Sequence, residues 1–222
     1  MQDKYYADHR DLLKWGVLYC LAERFALSRI IQVAYLRPSI FPMINIGGQE
    51  TELPSQVLTH FRNISNITSL HGDISISVFD RMFDDRKAYM DAVTQYLTES
   101  GSELRLVFLD PDVGLEPVGR PDFRHVLDME AHAIWSNLKT NEVFAFYQHK
   151  TNRAGKPWID EKRTQLEKAI KVEKGAVMVG KSPSIANDSS SFMRPSPNCI
   201  HTDVCSAAAT HPPVMRAFGL TN

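Results

Sequence analysis

Hydrophobic and polar positions along the chain follow two rhythms. Short apolar runs, rich in β-branched and aromatic residues, lie at 30–36 (IIQVAYL), 104–109 (LRLVFL), 142–148 (EVFAFYQ) and 175–181 (GAVMVGK). A fifth segment, ISISVF at 74–79, alternates with period two. All five read as strands. Between them, apolar residues recur at helical spacing. Residues 8–27 carry Leu13, Val17, Cys20, Leu21 and Phe25, with Asp8 or Asp11 available as cap. Residues 55–64 form a shorter helical segment, and 84–100 presents Tyr89, Val93, Tyr96 and Leu97 on one side. Asp84 is placed to cap that helix and Gly101 to stop it. Asp128 can cap the next, which turns Ala131, Ile134, Trp135 and Leu138 inward, and a charged helix follows at about 160–172. Strands alternating with helices over short connections predict an α/β protein with a parallel, doubly wound sheet. Strand 104–109 is apolar nearly throughout rather than alternating, so it belongs at the centre, buried on both faces.

Composition adds limits. The chain has 222 residues, 43% hydrophobic and 23% charged, with a formal net charge of -1. That suits one globular domain with a substantial core, here placed at 1–181. The remaining 182–222, rich in Ser, Pro, Asn and Ala, reads as an irregular C-terminal arm or tail. Near-zero net charge argues against a general nucleic-acid coat or a membrane-surface protein, and no run of 18 apolar residues is present. The polar N-terminus has no signal core, so a cytoplasmic location is expected. Cys20 reads as a core thiol. Cys199 and Cys205 flank His201, but no second half of a zinc site is visible.

Chemistry concentrates after strand 104–109. Asp110-Pro111-Asp112, then Gly114 and Glu116, place three carboxylates at the carboxyl end of a buried strand, the edge at which open α/β sheets bind ligands. Strand 142–148 ends similarly, in Tyr147-Gln148-His149-Lys150. A third polar cluster, Asp8, His9, Arg10, Asp11 and Lys14, opens the first helix. Sequential parallel strands bring their ends to one edge, so Asp110, Asp112 and His149 should share a site. The segment 38–54, with Pro38, Pro42, Gly47, Gly48 and Pro54, reads as a binding loop but is no phosphate cradle.

Three segments resemble a known superfamily. YYADHRDLLKWGVL, VFLDPD and EVFAFYQHK together look like S-adenosylmethionine-dependent methyltransferases, and most nearly the bacterial ribosomal-RNA adenine N6-methyltransferases. That group carries a helix motif similar to His-Ala-Asp-x-x-Lys-His, which Asp11 and Lys14 match, and a strand ending Asp-Pro-Pro-Tyr, which Asp110-Pro111-Asp112-Val113 resembles. The likeness covers about a quarter of the chain. A second likeness, to uncharacterised bacterial proteins with Asp-Pro-Asp-x-Gly-Leu/Ile-Glu and a later Tyr-Gln-His, brings no activity. The departures are specific. Asp112 stands for the second proline, Val113 for the base-stacking aromatic, and Leu36-Arg37-Pro38 for a glycine-rich turn after the first strand.

The resemblance implies a Rossmann-like three-layer sandwich with a mostly parallel central sheet, methyltransferase-like. It implies an enzyme that takes S-adenosylmethionine over strands 30–36 and 104–109 and acts on a nucleic acid or small molecule. Asp11, Lys14, Arg37 and Pro111 would hold the cofactor, and Asp110, Asp112 and His149 would face the chemistry. Two alternatives stay open. Asp110, Asp112 and Glu116 could hold Mg²⁺ in a phosphodiesterase or nuclease, or the chain could be a binding module without chemistry. Two carboxylates separated only by a proline repel, so a base, a cation or a proton must lie between them. Arg10, Lys14, Arg37 and Lys150 are the available bases.

Overall fold

Six parallel strands make the central sheet, and their burial follows from their sequence patterns. The computed structural model describes residues 6–37, 43–70, 72–149, 158–181 and 216–221. The strands are β1 (Arg29–Val33), β4 (Ser75–Phe79), β5 (Arg105–Leu109), β8 (Val143–Gln148), β9 (Val177–Lys181) and β10 (Arg216–Thr221), in the order β4-β1-β5-β8-β10-β9. β5 is interior and every residue in it is buried. The alternating segment became β4, an edge strand, as a half-covered strand should. Two two-stranded ladders lie outside the sheet. The first, β2 (Ile44–Ile46) with β3 (Gln49–Thr51), is an antiparallel hairpin turned by Gly47 and Gly48, both at positive φ. The second, β6 (Gly114–Leu115) with β7 (His125–Val126), is parallel.

Both faces of the sheet are covered. On β5, Leu106 and Phe108 join the side packed by α1 (His9–Arg24), among Trp15, Leu18, Leu21 and Ala22. Val107 and Leu109 join the other side with Tyr89, Val93 and Leu97 of α3 (Arg86–Glu99), Ala131, Ile134 and Trp135 of α4 (Asp128–Trp135) and Leu166 of α5 (Ile159–Ala169). The chain passes from β1 to β4 through α2 (Ser55–Arg62) and a 3-10 turn (Ile64–Ser69), then crosses back past β1 to β5 through α3. The direction of winding therefore reverses beside β1, and the crevice between the carboxyl ends of β1 and β5 is a topological switch point. Among the described residues no helix is long and apolar enough to cross a membrane.

Several expectations are corrected. β10 lies in the sheet between β8 and β9, within the segment read as irregular arm; 182–215, with Cys199, His201 and Cys205, lie outside the described residues. β1 stops at Val33 because Tyr35 takes φ of +47°, which leaves the strand conformation. Asp85, not Asp84, caps α3, accepting from the Ala88 N–H at 2.9 Å. Leu127 occupies the cap position of α4, and the Glu130 carboxylate accepts its N–H at 2.9 Å. Cys20 is half-buried rather than a core thiol. The buried face of α1 runs Asp11, Lys14, Trp15, Leu18, Leu21 and Ala22, with Leu13, Val17, Cys20 and Phe25 only partly covered. Hydrophobicity alone sets the stripe out of phase, because two charged residues begin the buried face.

Candidate functional site

Strand alternation assembles the polar centre. Gln32, two residues after Ile30, and Asp110, two after Phe108, both face α1 at the carboxyl edge, as does Tyr147, two after Ala145. Asp110 follows directly from β5 and its N–H donates to the Val33 carbonyl at 3.1 Å, which fixes it beside β1. Over these residues α1 lays its first two turns. Asp8 caps the helix, its Oδ1 accepting from Arg10 N at 2.8 Å and Asp11 N at 2.9 Å. Three and six residues on, Asp11 and Lys14 point down at the sheet edge.

The result is a buried ionic cluster. The Lys14 ammonium donates to Asp110 Oδ1 at 3.0 Å and Oδ2 at 2.9 Å, and lies 2.6 Å from Asp11 Oδ1. Gln32 Nε2 donates to Asp110 Oδ2 at 2.9 Å. Lys14 is 7% exposed, Asp11 4% and Asp110 2%. Burial alone would push Lys14 down; the Asp110 and Asp11 carboxylates outweigh it and hold the ammonium above its ordinary range. Burial, to which the Asp110 charge adds, lifts Asp11 above the usual carboxylate range. The Tyr147 ring covers the ammonium, 4.8 Å from Nζ to its centroid.

Around this cluster opens a cavity of about 460 Å³, large enough for a nucleoside-sized ligand. Its wall includes Asp11, Lys14, Arg37, Asp110, Pro111, Asp112 and His149, the seven residues named from the sequence as cofactor-holding or catalytic. Asp112 pairs with Arg37, Nε to Oδ2 at 2.8 Å. The two carboxylates of the Asp-Pro-Asp segment are thus neutralised by separate bases, Lys14 and Arg37. His149 stacks edge-on against Tyr147, with ring centroids 4.7 Å apart. Burial lowers its pKa to about 4, Arg10 and Lys14 adding to the effect against Asp110 and Asp112, so the imidazole is neutral at pH 7.

Glu116 does not join the cavity wall. Its Oε1 accepts the Asp128 N–H at 2.7 Å, at the start of α4. The expected set of Asp110, Asp112 and Glu116 is therefore not assembled around one point, and among the described residues no group of three His, Cys, Asp or Glu is placed to hold a metal ion. Lys150 lies outside the described residues.

Two wall or support residues escaped the sequence. Gln32 is a buried amide in an apolar strand; such a group needs a partner, and that was the available signal. Arg124 reaches the cavity because β6 and β7 fold 113–126 back on itself, with Val113 N donating to Arg124 O at 3.0 Å and His149 N to Val113 O at 2.8 Å. No local pattern announces so short a ladder.

Fold and site together define an α/β protein with a parallel sheet and a charged pocket at its switch point. Compared with family models, curated proteins and solved structures, the chain matches none.

Proposed function

We propose that the protein is a degenerate S-adenosylmethionine-dependent methyltransferase acting on a nucleic acid or a small molecule. The observation that carries this reading is the convergence of the Asp11–Lys14 helix turn and the Asp110-Pro111-Asp112 strand end on one cavity at the switch point. Those are two of the three segments in which the sequence resembles methyltransferases. The wall supports a zwitterionic ligand: among the described residues it carries the basic Arg10, Lys14, Arg37 and Arg124 and the acidic Asp8, Asp11, Asp110 and Asp112, four of each. An amino-acid moiety with an ammonium and a carboxylate meets both signs there.

Bound S-adenosylmethionine would supply an electrophilic methyl group. Asp11, Lys14, Arg37 and Pro111 would hold it, with Pro111 stiffening the turn that separates the two carboxylates. Asp110 spends both oxygens on Lys14 and Gln32, so in this reading it positions the ammonium rather than contacting substrate. Asp112 and the neutral His149 would face the acceptor. A neutral imidazole can take the proton that a methylated amine or hydroxyl gives up. Methyl transfer needs mainly in-line positioning, so few further titrating groups are required.

A thermal-shift and calorimetric titration with S-adenosylmethionine, Mg²⁺ and Mn²⁺, on wild type and Asp112→Asn, tests the reading. Stabilisation by S-adenosylmethionine alone is expected, about 2.7 kcal/mol at a hundredfold excess over Kd. Stabilisation by the metals alone, lost in Asp112→Asn, would overturn it in favour of the phosphodiesterase.

A further inference from the structure

Among the described residues the cavity wall carries four bases, Arg10, Lys14, Arg37 and Arg124, and three of them already serve carboxylates. Lys14 is shared between Asp11 and Asp110. Arg37 engages Asp112 at 2.8 Å, and Arg124 engages Asp122 at 2.7 Å. Arg10 differs. Its backbone N–H is taken by Asp8, but among the described residues its guanidinium has neither an ion pair nor a hydrogen bond, and its Nε is buried with no partner. A guanidinium offers five donors in a fixed fork, matched to two oxygens of one anion. A buried donor of that kind without an acceptor is costly. It is also held in place: Arg10 sits in the first turn of α1, which Asp8 caps and the buried Asp11–Lys14–Asp110 cluster pins to the sheet edge.

We propose that Arg10 is the oxyanion anchor of this cavity, taking the carboxylate or phosphate oxygens of the ligand through its guanidinium. The inference rests on the reading that this cavity is the ligand site, and not on which cofactor fills it. The ring of His149 on the same wall feels Asp110 and Asp112 as negative charges and Arg10 and Lys14 as positive ones. Those two carboxylates are engaged by Lys14 and Arg37, so neither is spent on Arg10. Nor does the methyltransferase-like motif account for Arg10, which stands where that motif carries an alanine. A carboxylate would come from an amino-acid moiety such as that of S-adenosylmethionine; a phosphate would come from a nucleotide.

Calorimetry on the full chain separates these sources, using wild type and Arg10→Gln with three probes: S-adenosylmethionine, its decarboxylated analogue and inorganic phosphate. Arg10→Gln removes a charge whose burial is costly, so its melting temperature should equal or exceed that of wild type. For a carboxylate, Arg10→Gln weakens S-adenosylmethionine by about 10- to 100-fold and leaves the decarboxylated analogue unchanged. For a phosphate, it weakens phosphate by a similar factor. In either case the loaded anion should raise the titration midpoint of His149, followed by NMR, in wild type only. Phosphate binding through Arg10 with no binding of S-adenosylmethionine would sink the methyltransferase reading and leave the anchor standing. S-adenosylmethionine binding that ignores Arg10→Gln, with no Arg10-dependent phosphate binding, does the reverse. No Arg10-dependent binding of either anion overturns the anchor.

Discussion

Lys14 holds two buried carboxylates, and removing it should cost more than losing its own contacts. Lys14→Met leaves Asp110 and Asp11 without their counter-charge in a site 2–4% exposed. Breaking one side of such a cluster costs about 3–5 kcal/mol. Urea denaturation should show that loss, with Asp110→Asn costing less because one carboxylate then remains for the ammonium. His149 gives a pH dependence of definite sign. Its folded pKa of about 4 lies below the unfolded value near 6.5. Protonation therefore favours the unfolded chain: the contribution is present in full above pH 6.5 and is lost as pH falls from 6.5 toward 4. A His149→Gln variant should lose part of that acid decline, and NMR should place the wild-type midpoint well below 6.

Among the elements, the β6–β7 ladder is the part of the site wall most exposed to a single substitution. Gly114 takes φ of +135°, and a Cβ there would collide with the Gln148 amide. That amide accepts Leu115 N at 2.8 Å and donates to Val113 O at 3.2 Å, tying the ladder to β8. Gly114→Ala should therefore destabilise by about 1–3 kcal/mol and disorder the wall that carries Arg124, measured by denaturation and by faster amide exchange at 113–116. β5 should be the reverse case, the slowest-exchanging element, and Phe108→Ala should cost about 3–5 kcal/mol. The central place of β5 and the edge place of β4 were legible because a strand's two faces write themselves directly into its alternation. The phase of α1 was not. Its buried face begins with Asp11 and Lys14, and hydrophobicity cannot see a charged pair whose partner, Asp110, is 96 residues away. Gln32 hid for the same reason, its acceptor lying on another strand.

At the scale of the whole molecule, the parallel α/β sheet followed from five periodic segments, but the sixth strand did not. RAFGLT begins with a charge, contains Gly219, and follows a Ser- and Pro-rich stretch, while its place between β8 and β9 is set by ladder pairing on both sides. The switch point was half legible. The strand ends that carry Asp110 and His149 could be named, yet their meeting with α1 depends on the sheet order, which no local pattern contains. That order makes one cavity out of three distant segments, and the claim that this cavity is the ligand site is the one to test. Amide hydrogen exchange read by mass spectrometry, with and without saturating S-adenosylmethionine, does so directly. Slowed exchange is expected together at 8–14, 110–114 and 147–149, with the amino edge of the sheet unchanged. Exchange that is unaltered at all three segments, or slowed only at the amino edge around Ser100 to Glu103, would contradict it.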